Sequence, residues 1–283
     1  RLKPCPTHAR FTYGWLPAYA DELIYEITGA SLLCLGKEER ILPRSVVQKT
    51  LAEKIAGLEQ ERGFAVKKSE RAQLAEDIEF DLLPKAFCVQ KKLYAVLDHV
   101  NNFLIVNTSS SNQASQLVSL LRKAVPEVKV EPLTIENNLA LKFTTWIQDP
   151  HSLPANFELA PNCLLFSEDN EKKQFNCKGY ELPADEVHSL ITKGLVASEI
   201  SLVWNERIQF TLTQNLVLKR LKCLDYLVDE FTEASKHDKD NQNQDAALTL
   251  LAQEQRSLLN ELLPILTKPH SVDEPIELAN SEA

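Results

Sequence analysis

The stretch from Lys37 to Lys92 places the tightest limits on how this chain can fold. It carries 12 Lys and Arg against 10 Asp and Glu, so much of its surface has to stay in water. Its apolar residues nevertheless recur at helical intervals, first Val47, Leu51, Ile55 and Leu58, then Leu74, Ile78 and Leu82. Two amphipathic helices satisfy both demands. Gly63 separates them, and Pro84 stops the second, because proline lacks the N–H a helix needs and crowds the preceding turn. Cations gather at the bend (Lys67, Lys68, Arg71) and at the far end (Lys85, Lys91, Lys92), which would give the pair one basic edge. Helices this charged are more often plain solvated faces, with Glu61 and Glu70 balancing nearby lysines. Nucleic-acid binding is the functional reading set against that one.

Net charge at first speaks against nucleic acid, since the 283 residues sum to −9. The surplus is confined, however: residues 223–283 hold 13 acids and 4 bases, and the first 222 residues hold 27 of each. A neutral body can carry one basic face, and phosphate responds to that local field rather than to the total. With 44% apolar and 25% charged residues the chain is composed as an ordinary globular protein. No apolar run approaches the roughly 18 residues of a membrane span, and no signal-peptide pattern opens the sequence, so a cytoplasmic protein is expected. The six cysteines (5, 34, 88, 163, 177, 223) form no Cys-x-x-Cys pair and are expected to be reduced and structural.

Taken in order, residues 1–46 read as sheet-forming, with Phe11, Tyr13 and Trp15 followed by strands at 23–27 and 31–35. After the charged helices come a hairpin at 93–98 and 103–107, a helix at 114–124 behind Ser109-Ser110-Ser111, a strand at 128–133, and a strand or short helix at 139–147. Residues 162–222 repeat the theme with a helix from 183 to 193 and strands at 195–204 and 207–212, ending on the basic cluster Lys219, Arg220 and Lys222. The tail is helical, with Leu248, Leu251, Leu258, Leu259, Leu262 and Leu263 in a stripe that stops at Pro264 or soon after. This order implies an α+β fold with mixed sheets and long amphipathic helices. Four segments are expected: a central domain from 1–46 and 93–147, a helical hairpin from 47–92 inserted in it, a second α+β subdomain from 148–222, and an acidic helical segment from 223–283.

Catalytic signatures are missing. Seven glycines leave little material for a phosphate loop, and the six histidines (8, 99, 151, 188, 237, 270) lie far apart. Cys5 and His8 lack a second ligand pair, and Asp77 and Glu79 fall on opposite sides of their helix. The expectation is therefore a protein that is not an enzyme and takes no cofactor or metal. A scaffold whose acidic tail binds a basic partner is the competing reading.

Several stretches together resemble the bacterial recombination-associated protein family RdgC: KEERILP (37–43), LAEKIAGLE (51–59) with KKSER and DLLPKAF (67–87), LLRKAVPEVKVEPLTIEN (120–137), TTWI (144–147), and WNERIQF with LKRLK (204–222). Residues 148–181 and those after Leu224 match poorly. The resemblance implies a ring-shaped homodimer with a basic hole that takes duplex DNA without sequence preference and restrains the RecA recombinase, in the cytoplasm and on the nucleoid. It leaves open whether single-stranded DNA is also bound. On this reading Lys67, Lys68, Arg71, Lys85, Lys91 and Lys92 line the hole, with Arg40, Arg44, Lys219 and Arg220 as weaker candidates, and Phe87 falls near a subunit contact.

Overall fold

A computed structural model describes residues 1–134, 138–167, 169–179, 182, 184–236 and 242–267. The chain forms two units, Arg1–Lys129 and Val130–Ala283, and the fold is α+β in both.

In the first unit, strands β1 (Phe11–Leu16), β2 (Ile24–Ile27), β3 (Ala30–Ile41), β4 (Phe87–Asp98) and β5 (Phe103–Val106) make one sheet in the order β1-β3-β4-β5, with β2 also on β3. Its backbone is a long ribbon: β3 and β4 pair antiparallel without a slip from Ala30↔Asp98 to Ile41↔Phe87. Helices α1 (Arg44–Arg62) and α2 (Lys68–Leu82) are inserted between the last two partners. Gly63 ends α1 with φ 75°, a left-handed conformation glycine adopts without strain. Pro84 sits in the short 3-10 turn Leu83–Lys85 that returns the chain to β4. Helix α3 (Ser111–Ala124) lays Leu117 on Leu33, Leu35 and Ala95, with Trp15, Leu93 and Leu104 around them.

The second unit contains α4 (Leu139–Gln148), β6 (Phe157–Ser167), β7 (Asn170–Lys178), α5 (Asp185–Thr192), β8 (Leu195–Trp204), β9 (Ile208–Thr213), β10 (Leu218–Cys223), α6 (Asp225–Lys236) and α7 (Gln242–Leu266). The strands are ordered β10-β9-β8-β6-β7. Phe143, Trp146 and Ile147 of α4 and Leu258, Leu262 and Leu266 of α7 share a core with Leu165, Ile200, Leu202, Trp204 and Phe210 of the sheet. Sequence reading groups residues 139–147 with the preceding segment, but the apolar face of α4 is buried in this second core. The Thr144 hydroxyl accepts a hydrogen bond from the Ala197 N–H at 2.9 Å, which pins the helix to β8.

Two expectations are corrected. The sheets are not mixed: every described ladder is antiparallel, as neighbours joined by short turns or by an excursion returning to the same edge must be. Residues 128–133 form no strand; Pro126 precedes them and Pro132 falls within them, and a proline supplies no N–H to a ladder.

Candidate nucleic-acid interface

The bend of the helical hairpin presents three exposed cations, Lys67, Lys68 and Arg71. Lys67 is the N-cap of α2 and Lys68 its first residue, both exposed, and no side chain caps the helix. The first N–H groups of a helix have no partner within it and carry the positive end of its dipole. Most helices answer this with Ser, Asp or Glu; here the chain adds two ammonium groups. Glu70, the one acid in that first turn, is taken up by Arg62 at 2.5 Å. Arg71 is half-exposed and lies 3.9 Å from Glu59, whose carboxylate already accepts the Val66 N–H at 2.9 Å. Backbone N–H groups and cations thus converge at the bend, an arrangement suited to phosphate.

The other cations lie at the opposite end of the hairpin. Helix α1 begins at Arg44 behind Pro43, again with no side-chain cap and here with no acid in its first turn. Lys85 leaves the hairpin two residues before Phe87, whose ladder partner Ile41 leads into α1. A 15-residue α2 separates the two ends, roughly 22 Å at 1.5 Å per residue. Between them α2 is acidic, with Glu76, Asp77, Glu79 and Asp81. The predicted cations thus fall at the two ends of the hairpin, with Lys49 and Lys54 of α1 exposed between them. Lys91 and Lys92, adjacent on β4, point to opposite faces of the ribbon. Lys91 joins Lys37 on Glu39 at 2.9 and 3.1 Å, and these hydrogen bonds, Lys91 first, hold the Glu39 carboxyl below the usual carboxylate range.

Arg40 is occupied elsewhere. Its guanidinium donates to the carbonyl oxygens of Cys5, Pro6, Leu83, Pro84 and Ala86 at 3.3–3.5 Å, tying the N-terminal segment and the hairpin exit to the ribbon. Phe87, at the ribbon end, is 86% exposed, and Ile41, Val46 and Val89 add apolar surface. Among the described residues no strand pairs with the outer edge of β4 from Phe87 to Leu93.

Lys219, Arg220 and Lys222 belong to the second unit. Lys219 is bonded to Glu199 at 2.6 Å, and Arg220 lies in a bulge of β10 with φ 52°. The nearby WNER run is structural. The Trp204 indole donates to Glu261 at 2.9 Å, and Arg207 binds Glu254 of α7 at 2.7 Å and Glu230 of α6 at 2.5 Å. The paired guanidinium holds the Glu230 carboxyl low. Three tail acids are thus spent on holding α6 and α7.

One polar constellation had no sequence signal. Ser31 Oγ donates to both oxygens of Glu26 at 2.9 Å and lies 2.6 Å from His99 Nε2. Glu26 approaches that same Nε2 at 3.8 Å, so it does not orient the ring through Nδ1 as the acid of a nucleophilic triad does. Ser31 itself is 3% exposed. Among the described residues no three His, Cys, Asp or Glu side chains converge as metal donors, and no helix is long and apolar enough to cross a membrane.

Comparison with known proteins adds to this geometry. A family model described as "Putative exonuclease, RdgC" matches residues 1–268. A curated protein from Yersinia pestis (strain Pestoides F), named "Recombination-associated protein RdgC", is 32% identical over 266 residues, 93% of this chain and 87% of its own length. One of the same name from Pseudoalteromonas translucida (strain TAC 125) is 33% identical over 264 residues, 92% of this chain and 86% of its own.

Proposed function

The chain belongs to the RdgC family, and from that premise we propose that it is a recombination-associated, sequence-independent DNA-binding protein that encircles duplex DNA as a ring-shaped homodimer and restrains RecA. The observation that carries the DNA-binding step is the uncapped N-terminus of α2 at the hairpin bend, where Lys67, Lys68 and Arg71 surround free backbone donors. Such groups contact phosphates, which are alike in every sequence. The second cluster, Arg44 and Lys85, gives a further contact at the other end of the hairpin. Acids along α2 and in the tail repel DNA from the rest of the surface. The exposed Phe87 and the open edge of β4 favour a two-fold contact, in which one patch meets its own copy.

The commitment of Glu230, Glu254 and Glu261 within the second unit weighs against the tail as a docking site for a basic partner. The nuclease reading draws on the description of the family model. It is tested by incubating end-labelled duplex with the protein and Mg²⁺ or Mn²⁺; release of nucleotides would establish it and displace the non-enzymatic reading.

The DNA-binding proposal is tested by titrating closed-circular and linear duplex over a salt series. Wild-type affinity is expected to fall steeply with salt. Replacing Lys67, Lys68 and Arg71 by Ala is expected to make the logarithmic slope shallower by up to about 3, at close to one unit per lost phosphate contact. An unchanged slope removes the hairpin bend from the interface, and slower release from circles than from linear DNA supports encirclement.

A further inference from the structure

Cys163 and Cys177 are separated by a hairpin in sequence and stand directly opposite each other in the β6–β7 ladder. Both are free thiols, 4% and 7% exposed, and the two sulfurs lie within hydrogen-bonding reach. Opposed residues of an antiparallel pair have Cα atoms roughly 4.5–5.5 Å apart, inside the span a disulfide bridges. Strand β7 ends the sheet order with a single neighbour, and a strand held on one side opens more readily than a central one. Cys177 also lines a cavity of about 170 Å³ with Phe175, Asn176, Glu186, Val187 and Leu190, well above the roughly 10–15 Å³ that admits one water.

We propose that Cys163 and Cys177 form a reversible redox site, which a small hydroperoxide entering through this cavity converts to a cross-strand disulfide. The Cys177 sulfur attacks one peroxide oxygen as it gives up its thiol proton, the O–O bond breaks, and the departing oxygen takes that proton and leaves as water, giving a sulfenic acid. The Cys163 sulfur then displaces the sulfenic oxygen, which takes up the remaining thiol proton and leaves as a second water. Two thiols are oxidised and one hydrogen peroxide is reduced to two waters. Burial, with the neighbouring sulfur, pushes the Cys163 thiol up to about 12, so Cys163 stays protonated and the first attack on the peroxide falls to Cys177, which lines the cavity. A dithiol reductant reverses the reaction by exchange.

The test exposes the intact protein to hydrogen peroxide, denatures it in N-ethylmaleimide and maps the peptides by mass. The expected product is a Cys163–Cys177 cross-linked pair, lighter than the two thiol peptides by two hydrogens and lost on treatment with dithiothreitol. The oxidised protein should melt about 5 °C or more higher, because the bond closes a 15-residue loop. In Cys163→Ser the disulfide is absent and dimedone captures Cys177 as sulfenic acid. The proposal is overturned if both cysteines are recovered fully alkylated under conditions that oxidise exposed Cys88, or if either is found bridged to another cysteine. The wild-type peptide map decides this even should the variant fail to fold.

Discussion

Arg40 shows how one side chain changes meaning between sequence and structure. In sequence it is a cation beside other cations; in the fold its planar fork serves five carbonyl oxygens from segments up to 46 residues away. Lysine keeps the charge but cannot span those acceptors. Arg40→Lys is therefore expected to lower unfolding stability by about 1–2 kcal/mol in urea titration while leaving the salt slope of DNA binding unchanged. Glu39 makes a pH-dependent contribution. Its folded carboxyl is held low by Lys91 and Lys37, so the stabilisation is present above the ordinary carboxylate value near 4.3 and is lost as pH falls through the depressed one. Glu39→Gln should accordingly be less stable than wild type at pH 7, and the difference should close in acid unfolding below about pH 4. No local pattern announced either role, because the acceptors of Arg40 and the first partner of Glu39, Lys91, come from other strands and turns. The same holds for Ser31 with His99 and for Cys163 with Cys177, which only strand register brings together. The opposite facing of Lys91 and Lys92 was legible, given that they sit on a strand, from its two-residue period alone.

At the scale of elements, the hairpin helices were the most readable part, since charge and a 3.6-residue apolar period leave few alternatives. The strand expected at 128–133 failed because its β-branched residues were weighed without the prolines around them. The pairing of β3 with β4 had no signal, as 45 residues intervene between Ile41 and Phe87. The leucine stripe of α7 was legible as apolar, and the fold buries Leu258, Leu262 and Leu263 as core. Helix α2 offers a test in which stability and binding move apart. Lys67 has the extended backbone of an N-cap, φ −67° and ψ 153°, which aspartate suits. Lys67→Asp should raise stability by about 0.5–1 kcal/mol, by capping the helix and answering its dipole, while weakening DNA binding. Denaturant midpoints and fluorescence anisotropy with labelled duplex measure the two effects, and a parallel rise in both would show that the bend is not the phosphate contact.

For the whole molecule, the proposed ring turns on whether two copies meet through Phe87. Phe87 is 86% exposed, so its ring contributes almost nothing to the fold of its own chain. Phe87→Ala should leave the unfolding midpoint within about 0.5 kcal/mol of wild type and raise the dimer dissociation constant at least tenfold in sedimentation equilibrium. A lost fold with unaltered association would defeat this expectation. The insertion point of the hairpin has its own consequence. Both ends of α1 and α2 attach at the single ladder pair Ile41↔Phe87, so turns can be added to or removed from the two helices in step without disturbing any partner in the sheet. The reach of the basic bend is thereby uncoupled from strand register, and it can lengthen or shorten across relatives by insertion alone while the unit that carries it stays the same.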